Sequence, residues 1–396
     1  MTEFTFWSAA FLLLYTYFFY PLGLVLADAM ARLWANARNV RALPNMKMQR
    51  TPPREEWPAV TVVVAAHNEA PVIREKIANT LALDYPKDKL QLIVGSDGST
   101  DGTDEWVRAV KDERVVLSSA PRAGKTSVLN RCVPLATGQI IVLTDANTLL
   151  DAQAVKRLVR RFDDPEVGAV CGRLVLRHPG DPEYRESAYW AYESLLKLYE
   201  GARGAVMGAN GGLYALRKSL FTALPPSTIV DDLVIPLKVV ERGWRFVYEP
   251  LAVAAEETAA SYDEEFGRRA RIAAGNFQAV KLLRGLWWPP RSFAAFAFLS
   301  HKLIRWSAPS LLLQALVASA LLVAHPFYRV ALLGQLCFYA LALAGRFTVF
   351  RGALRRVASV AYYFVAMNLA IAVGFWRYLR NSQRAAWERT ARVVAR

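Results

Sequence analysis

Residues 60–69 read VTVVVAAHNE, a β-branched apolar run that ends in a polar cluster. Similar runs occur at Gln91–Gly95, Arg114–Ser118 and Gln139–Thr144, and each precedes a helical pattern. Continuous apolar runs are typical of strands buried on both faces, and strands that alternate with helices form a parallel, doubly wound sheet. The sequence therefore predicts an α/β domain over residues 58–285 with a mostly parallel sheet. In such sheets, ligands bind at the carboxyl ends of the strands.

The beginning of the chain is long and apolar. Residues 4–27 contain no charged side chain, and a helix of that length can cross a hydrocarbon core of roughly 30 Å. A cleaved signal peptide is the alternative, but its basic start is missing and the apolar run is too long for it. Basic residues follow the segment, which places the preceding end outside and the following chain in the cytosol. We therefore expect a transmembrane helix over residues 1–30 and a basic juxtamembrane linker over residues 31–57.

Three further apolar stretches lie near the other end of the chain, at Ser307–Ala324, Phe327–Gly345 and Val357–Trp376. We expect residues 307–396 to contain transmembrane segments and an arginine-rich tail. Residues 286–306 are predicted to form an amphipathic helix on the membrane surface, because charged side chains interrupt their apolar sequence. One span before the domain and three after it place the tail outside, whereas the positive-inside rule places it inside. Both topologies stay open, because one of the stretches could be a hairpin that does not span.

The composition narrows the range of partners. The formal net charge is +15, and many of the arginines flank apolar segments. This distribution indicates membrane lipids rather than nucleic acid. The three cysteines, Cys132, Cys171 and Cys337, are far apart and form no CxxC pair. Their spacing argues against a disulfide framework or a zinc site and fits a reducing compartment.

Acidic residues stand at the ends of the predicted strands. Asp97 follows the second strand, and Asp145 ends the fourth, with Asn147 two residues later. Their oxygens can bind a hard divalent cation, although such residues are equally common in turns and helix caps. Asp231 and Asp232 are flanked by apolar residues, and burial beside a second negative charge raises a carboxylate pKa and suits a general base. The alternative for this pair is an exposed helix start, where acids favour the dipole.

Two basic features could bind phosphate. Gly124-Lys125-Thr126 resembles the end of a P-loop, but Ser119 stands where the full motif needs glycine, which argues against a P-loop NTPase. A glycine and a lysine at a helix start still suit phosphate. Arg268 and Arg271 lie in an Arg-Arg-Ala-Arg run, and arginine forks bind diphosphate oxygens. The alternative is that this run lies on a solvated helix face and pairs with nearby acidic side chains.

Taken together, these motifs resemble the family-2 glycosyltransferases with the GT-A fold, in the membrane-embedded branch of cellulose, hyaluronan and poly-N-acetylglucosamine synthases. The resemblance covers residues 58–306 and rests on the order of the motifs. The matching motifs are Ala66-His67-Asn68-Glu69, Ser96-Asp97-Gly98-Ser99, Gly124-Lys125 with Asn130, Asp145-Ala146-Asn147, Gly208-Ala209-Asn210-Gly211 with Arg217, Asp231-Asp232 and Val247-Tyr248-Glu249-Pro250. The resemblance implies a cytosolic, Rossmann-like GT-A domain with flanking transmembrane helices in the cytoplasmic (inner) membrane.

The resemblance also implies roles for individual residues. Asp232 is expected to be the catalytic base that deprotonates the acceptor hydroxyl, and Asp145 with Asn147 is expected to hold Mg²⁺ or Mn²⁺. Asp97 is expected to read the uracil N–H of a UDP-sugar, and Glu69 to support the nucleotide pocket. The full set of residues expected to bind the nucleotide-sugar donor is His67, Glu69, Asp97, Lys125, Asp145, Arg268 and Arg271.

Two positions depart from the family pattern. Asn147 replaces the second aspartate of the metal motif, and Ile272 replaces the tryptophan of a Gln-x-x-Arg-Trp signature aligned on Arg268–Ile272. That tryptophan stacks on the acceptor sugar in processive synthases. We predict an inverting glycosyltransferase that acts on a polysaccharide or lipid-linked acceptor. Non-processive glycosylation of a membrane lipid stays open, and so does a non-catalytic scaffold of a polysaccharide assembly complex.

Overall fold

The structure is a computed structural model that describes residues 1–37, 56–177, 188–257, 262–347 and 352–383. The chain divides into two compact units. We call residues 1–23, 261–277 and 298–383 the membrane-helix unit, and residues 24–260, 278–297 and 384–396 the α/β unit. Most of the predicted basic linker and the end of the arginine-rich tail lie outside the described residues.

The described part of the α/β unit contains a mixed eight-stranded sheet. Its strands are β1 (Val60–Ala66), β2 (Leu90–Asp97), β3 (Val115–Ala120), β4 (Ile140–Asp145), β5 (Leu149–Leu150), β6 (Val167–Arg177), β7 (Tyr214–Arg217) and β8 (Arg245–Glu257). Their order across the sheet is β3-β2-β1-β4-β7-β6-β8-β5. β1 to β4 are parallel, as are β6 and β8, whereas β7 is antiparallel to β4 and β6, and β5 to β8. The predicted α/β fold is confirmed, and the four predicted strands are β1 to β4 with small shifts at their ends.

The described helices are distributed over both units. They are α1 (Thr2–Leu14), α2 (Tyr20–Ala37), α3 (Ala70–Leu81), α4 (Thr103–Arg108), α5 (Lys125–Leu135), α6 (Ala154–Arg160), α7 (Ala188–Ala202), α8 (Asp231–Glu241), α9 (Tyr262–Leu282), α10 (Arg284–Trp287), α11 (Phe293–Ala297), α12 (Ile304–Trp306), α13 (Ala308–Leu321), α14 (Pro326–Arg346) and α15 (Gly352–Leu379). Two π-helical stretches, Tyr15–Phe19 and Phe298–Leu303, join α1 to α2 and α11 to α12. Short 3₁₀ turns occur at Lys87–Lys89, Arg161–Asp163 and Lys218–Leu220.

The core of the α/β unit explains why the early strands are so apolar. Every residue of β1 is buried, and Val62, Leu92 and Val142 lie in one hydrophobic cluster with no exposed surface. Strands covered on both faces by helices need apolar side chains on both faces. A methyl group on Gly95 would lie 2.2 Å from the Cγ1 atom of Val128, so α5 packs directly on β2. This close packing sets the start of α5 beside the carboxyl end of β2.

The described residues include three helical segments that are long and apolar enough to cross a membrane, namely Thr2–Trp34, Pro326–Arg346 and Leu354–Leu379. Phe293–Trp306 and Ala308–Leu321 meet this standard only as a pair, and the pair is bent by 57°. Such a pair is either a broken span or a re-entrant loop. It combines most of the predicted surface helix with the first of the three predicted apolar stretches.

Within the membrane-helix unit, α9 packs closely on α15. A methyl group on Gly374 would lie 2.5 Å from the Cβ atom of Ala273, and the rings of Phe277 and Phe375 lie 4.8 Å apart. Arg268 and Arg271 stand on this part of α9, so the arginine run belongs to the membrane-helix unit.

Candidate active site

Asp97, at the end of β2, is completely buried. Its Oδ1 atom accepts a hydrogen bond from the backbone N–H of Ala123 at 2.7 Å, and Oδ2 accepts one from Gly124 at 3.0 Å. Gly124 has φ near 95°, a conformation that favours glycine and turns its N–H toward the carboxylate. His67 Nδ1 lies 2.7 Å from the carbonyl oxygen of Asp97. Asp97 thus fastens the loop that leads into α5, and it does so at the carboxyl edge of the sheet.

The loops that follow β1 and β2 are tied together beside Asp97. The side-chain oxygen of Asn68 accepts a hydrogen bond from Thr100 N at 2.8 Å, and Asn68 N donates to Ser99 Oγ at 3.1 Å. Glu69 is buried, and its backbone N–H donates to Thr103 Oγ1. His67, Glu69 and Asp97 therefore come together at one edge, where the sequence placed a nucleotide pocket.

A second group of charges lies at the ends of β4 and the starts of α5 and α8. Lys125 Nζ lies 2.7 Å from Asp145 Oδ1 and 3.6 Å from Asp231 Oδ2. Burial alone would lower the pKa of Lys125, but Asp145, Asp231 and Asp232 together raise it well above its usual value. We call these four residues the charge cluster. Its members come from three parts of the sequence that lie far apart.

The two adjacent aspartates of the charge cluster differ in their surroundings. Asp231 begins α8 and is buried, and its Oδ2 atom has no hydrogen-bond partner among the described residues. Burial, reinforced by Asp232 and Asp145 and opposed by Lys125, raises the pKa of Asp231 to about 6. Asp232 is partly exposed, and its carbonyl oxygen accepts a hydrogen bond from Ala209 N at 3.0 Å. The raised pKa expected for this pair is therefore found on Asp231.

Gly211 packs closely against the carboxylates of the charge cluster. A methyl group at this position would lie 3.2 Å from Asp232 Oδ2, 3.3 Å from Asp145 Oδ2 and 3.7 Å from Lys125 Nζ. The first two distances are shorter than ordinary van der Waals contact, so glycine lets the backbone of this loop lie directly against both carboxylates. The glycine loop at residues 208–211 thus borders the charge cluster.

The predicted metal ligands, Asp145 and Asn147, offer oxygen atoms of the kind that Mg²⁺ and Mn²⁺ prefer. Asn147 Nδ2 donates to Glu256 Oε1 at 3.1 Å, which directs the amide nitrogen away and leaves Oδ1 for other partners. No group of three or more His, Cys, Asp or Glu side chains with metal-site geometry occurs among the described residues. Mg²⁺ is commonly held by one or two carboxylates together with substrate phosphates. The surplus of negative charge around Lys125 and these oxygen donors therefore fits a divalent cation that binds together with a diphosphate.

The arginine run shows a different environment. Arg268 Nε lies 2.8 Å from Glu265 Oε2, and Arg269 Nε lies 2.6 Å from Glu265 Oε1. These pairs are the helix-face contacts that the alternative interpretation predicted. Arg271 is partly buried on the same helix. The donor-binding role of Arg268 and Arg271 stays a prediction.

Two buried residues near the charge cluster were missed by the sequence analysis. Lys76, on α3, is completely buried, and its ammonium group donates to Thr144 Oγ1 at 2.9 Å and to the carbonyl oxygen of Thr148. Burial lowers the pKa of Lys76 to about 7, although the negative charge of Asp145 opposes this change. Tyr214, on β7, is also buried, and its hydroxyl group has no partner among the described residues. Lys76 stands three residues after Ile73, on the apolar face of α3, and this spacing was the available signal.

Three residues of the family-like motifs serve as structural braces. Arg217 donates to the carbonyl oxygens of Val167 at 2.8 Å and Phe162 at 3.0 Å. Asn130 exchanges two hydrogen bonds with the backbone of Leu224. Glu249 pairs with Arg161 at 2.5 Å. These motif positions therefore fix the scaffold around the site rather than contribute to the charge cluster.

Comparison with known proteins agrees with this geometry. The family model described as glycosyltransferase like family 2 matches residues 58–275, and the chain belongs to that family. It is 26% identical over 234 residues to the poly-beta-1,6-N-acetyl-D-glucosamine synthase of Staphylococcus aureus, and the matched region covers 57% of this chain and 56% of that protein. It is 27% identical over 242 residues to the probable glycosyltransferase YdaM of Bacillus subtilis, with 57% of each covered. The chain thus matches little more than half the length of these curated relatives.

A solved structure resembles the chain over most of its length. A mannosyltransferase from Pyrobaculum calidifontis, in complex with GDP-Man and Mn²⁺, superimposes with a TM-score of 0.65 and 26% identity. The match covers 91% of this chain and 98% of that one. The chain is a GT-A glycosyltransferase, so the predicted fold, family and enzyme class are confirmed.

Proposed function

We propose that the enzyme transfers a sugar from a nucleoside-diphosphate sugar to an acceptor hydroxyl, with inversion at the anomeric carbon. The observation that carries this proposal is the charge cluster, with Asp145, Asp231 and Asp232 around Lys125. It lies at the carboxyl ends of parallel strands, where α/β sheets bind their ligands. Gly211 lies against the Asp232 and Asp145 carboxylates, so the proposed base and the proposed metal ligand border the same glycine.

Asp232 is proposed as the general base. The acceptor oxygen forms a bond to the anomeric carbon while the bond from that carbon to the diphosphate oxygen breaks. The acceptor proton moves to the Asp232 carboxylate, and the nucleoside diphosphate leaves. Asp232 suits this step because its side chain is partly exposed, whereas Asp231 is buried.

The leaving diphosphate needs positive charge. Lys125 supplies it from the start of α5, where a helix N-terminus also favours phosphate. Asp145 and Asn147 are proposed to hold Mg²⁺ or Mn²⁺, and a cation bound there supplies a Lewis acid worth several kcal/mol for the departing diphosphate. The ammonium group of Lys125 forms an ion pair with Asp145 and neutralises that carboxylate before donor and cation bind. Arg268 and Arg271 are proposed as further partners of the diphosphate.

The donor is proposed to be a UDP-sugar, which the resemblance to polysaccharide synthases implies. The solved mannosyltransferase was bound to GDP-Man, and this observation makes GDP-mannose the alternative donor. The acceptor is proposed to be a glycan or a lipid-linked sugar. Ile272 has no aromatic ring to stack on an acceptor sugar, which supports a single transfer to a membrane lipid as the second candidate.

The α/β unit is proposed to face the cytosol from the cytoplasmic membrane. If the bent pair Phe293–Trp306 and Ala308–Leu321 is re-entrant, one candidate span precedes the α/β domain and two follow it. The arginine-rich tail then lies in the cytosol, in agreement with the positive-inside rule. A cysteine at Ser99 or Ser382, in a Cys337→Ser background, should then resist an impermeant thiol reagent in intact cells and react after lysis. Labelling of Ser99→Cys in intact cells would contradict the proposed orientation.

The function is tested with membranes that contain the protein. We expect one nucleotide sugar from a panel that includes UDP-glucose, UDP-N-acetylglucosamine and GDP-mannose to be consumed in the presence of Mg²⁺ or Mn²⁺. Mass analysis of the product identifies the sugar and shows whether one residue or many are added. If no nucleotide sugar is consumed, either by transfer or by hydrolysis, the catalytic proposal is wrong.

A further inference from the structure

One face of α7 carries three charged residues that are buried. Glu193, Lys197 and Glu200 follow one another at spacings of four and three, so they stand on the same side of the helix. Glutamate and lysine are almost never buried without a partner. The charged face of α7 therefore needs an explanation that its packing alone does not provide.

Two of these side chains contact one loop, residues 207–213, which we call the acceptor loop. Lys197 Nζ donates a hydrogen bond to the side-chain oxygen of Asn210, and Asn210 Nδ2 donates to the carbonyl oxygen of Gly172 at 3.2 Å. Glu200 accepts a hydrogen bond from Met207 N at 3.2 Å. Two charged side chains of α7 thus hold the loop, one at its start and one at its centre.

The same loop touches the charge cluster. Ala209 N donates to the carbonyl oxygen of Asp232, and Gly211 lies against the Asp232 carboxylate, since a methyl group on Gly211 would lie 3.2 Å from Asp232 Oδ2. Asn210 is the residue immediately before Gly211, so a shift of Asn210 moves Gly211 relative to that carboxylate.

We propose that Lys197 is a positioning residue for the acceptor, which holds Asn210 and so keeps Gly211 against the Asp232 and Asp145 carboxylates, where an acceptor hydroxyl rather than loosely placed water meets the base. This inference rests on the proposed glycosyl transfer. A charged donor is used because hydrogen bonds to charged groups are stronger than neutral ones and keep a loop in one conformation. A loop that moves freely leaves the activated donor open to hydrolysis, since water needs no positioning by the loop.

The test compares transfer with hydrolysis in the same preparation. Lys197→Met removes the ammonium group and keeps the length of the side chain, so the ratio of donor hydrolysis to transfer should rise about tenfold. The KM for the acceptor should rise. Donor affinity should stay within about twofold of wild type, because the substitution removes no hydrogen bond to the donor. Lys197→Arg keeps a charged donor and should restore most of the wild-type ratio.

Lys218→Met is the matched control. Lys218 is a partly buried lysine of the same unit whose ammonium group also holds backbone carbonyl oxygens, those of Pro134 and Ala136, away from the acceptor loop. Its replacement should leave the ratio unchanged. A ratio that rises equally in both variants would show a general loosening of the unit, and the positioning role would be wrong.

A double-mutant cycle addresses the path through Asn210. Asn210→Ala removes the acceptor of the hydrogen bond, and this variant serves also if Lys197→Met fails to fold. The double variant should show the same ratio as either single variant, because all three lose one interaction. If wild type transfers sugar but both single variants keep a normal ratio, this inference fails alone. If wild type neither transfers nor hydrolyses, the proposed function has failed instead.

Discussion

The two edges of the candidate site are built in different ways. At the edge formed by β2 and β4, each acid is satisfied, because Asp97 accepts two backbone N–H groups and Asp145 pairs with Lys125. At the edge formed by β7 and α8, the Tyr214 hydroxyl and Asp231 Oδ2 have no hydrogen-bond partner in the described residues, and Asp231 Oδ2 has only the ion pair with Lys125 at 3.6 Å. Satisfied groups hold a binding surface still, whereas burial and neighbouring negative charge raise the pKa of Asp231 beside the proposed base.

This difference assigns binding to the first edge, which we call the donor edge, and reaction to the second, the acceptor edge. It also suggests that the acceptor edge costs stability, since burying a charge without full compensation is unfavourable. Four substitutions test whether binding, rate and stability separate between the two edges in this way.

The largest effect is expected for Asp145→Ala, at the donor edge. Loss of this carboxylate should remove most of the cation affinity and lower transfer by at least about a thousandfold, since Lewis-acid assistance is worth several kcal/mol. Mn²⁺ binding by calorimetry and transfer by product formation are measured together. Asp151→Ala, an exposed acid near the same edge, is the control and should change neither. Near-normal Mn²⁺ binding by Asp145→Ala would show that the assignment of Asp145 as a metal ligand is wrong.

The next effect is expected for Asp232→Asn, at the acceptor edge. Asparagine keeps the shape of the side chain but accepts no proton, so transfer should fall by about 10²–10⁴-fold while donor affinity stays near normal. Asp231→Asn should cost less activity, because Asp231 is buried whereas Asp232 is partly exposed. If Asp231→Asn is the inactive variant and Asp232→Asn is active, the two roles are exchanged. If both remain active, the acceptor edge is not catalytic.

A smaller loss of activity is expected for Gly211→Ala. The added methyl group would lie 3.2 Å from Asp232 Oδ2 and 3.3 Å from Asp145 Oδ2, which forces the carboxylates apart by a few tenths of an ångström. Overpacking of this kind typically costs about 1–3 kcal/mol, and we expect transfer to fall about tenfold with the fold intact. Gly334→Ala, where a methyl group meets nothing within 4 Å, is the control. Equal activity of both variants would show that the close contact between Gly211 and the two carboxylates is not needed for transfer.

The smallest effect is a gain in stability for Asp231→Asn. The pKa of Asp231 lies above its unfolded value of 3.8, at about 6, so the folded state binds the proton more tightly than the unfolded state. The free energy of unfolding therefore falls as the pH rises from about 4 to 6, and the ionised carboxylate costs up to about 3 kcal/mol above that range. With chelator at pH 7, Asp231→Asn should melt higher than wild type by an amount worth about 1–3 kcal/mol.

This stability difference should shrink below pH 6 and vanish below about pH 4, where wild-type Asp231 is protonated in both states. Thermal unfolding in detergent over this pH range is the measurement, and Asp151→Asn is the control. A difference that does not change with pH would show that the acceptor edge carries no electrostatic cost.

The donor edge could largely be predicted from the sequence, and the reason is local. β1, β2 and β4 are continuous apolar runs, and Asp97 and Asp145 stand at their ends. The carboxyl ends of parallel strands meet at one edge, so placing the strands also places these acids. The later strands β6, β7 and β8 were not predicted.

Lys76 shows where pattern reasoning failed. A lysine in an amphipathic helix is normally solvated, yet Lys76 is buried because Thr144 and the Thr148 carbonyl group accept its hydrogen bonds. Those partners stand about 70 residues further along the chain, as the intervals of 68 and 72 show. Propensity and periodicity contain no information on contacts of that range.

The sequence by itself determined the class of fold, the family and the short-range placement of Asp97 and Asp145, because these follow from strand periodicity and motif order. Only the tertiary structure decided which aspartate of the adjacent pair is buried, that Gly211 lies against Asp232 and Asp145, and that Lys197 holds Asn210. Burial and charge pairing depend on residues that are distant in the chain and close in space, and the free energy of a carboxylate is set by that surrounding volume rather than by its neighbours in sequence.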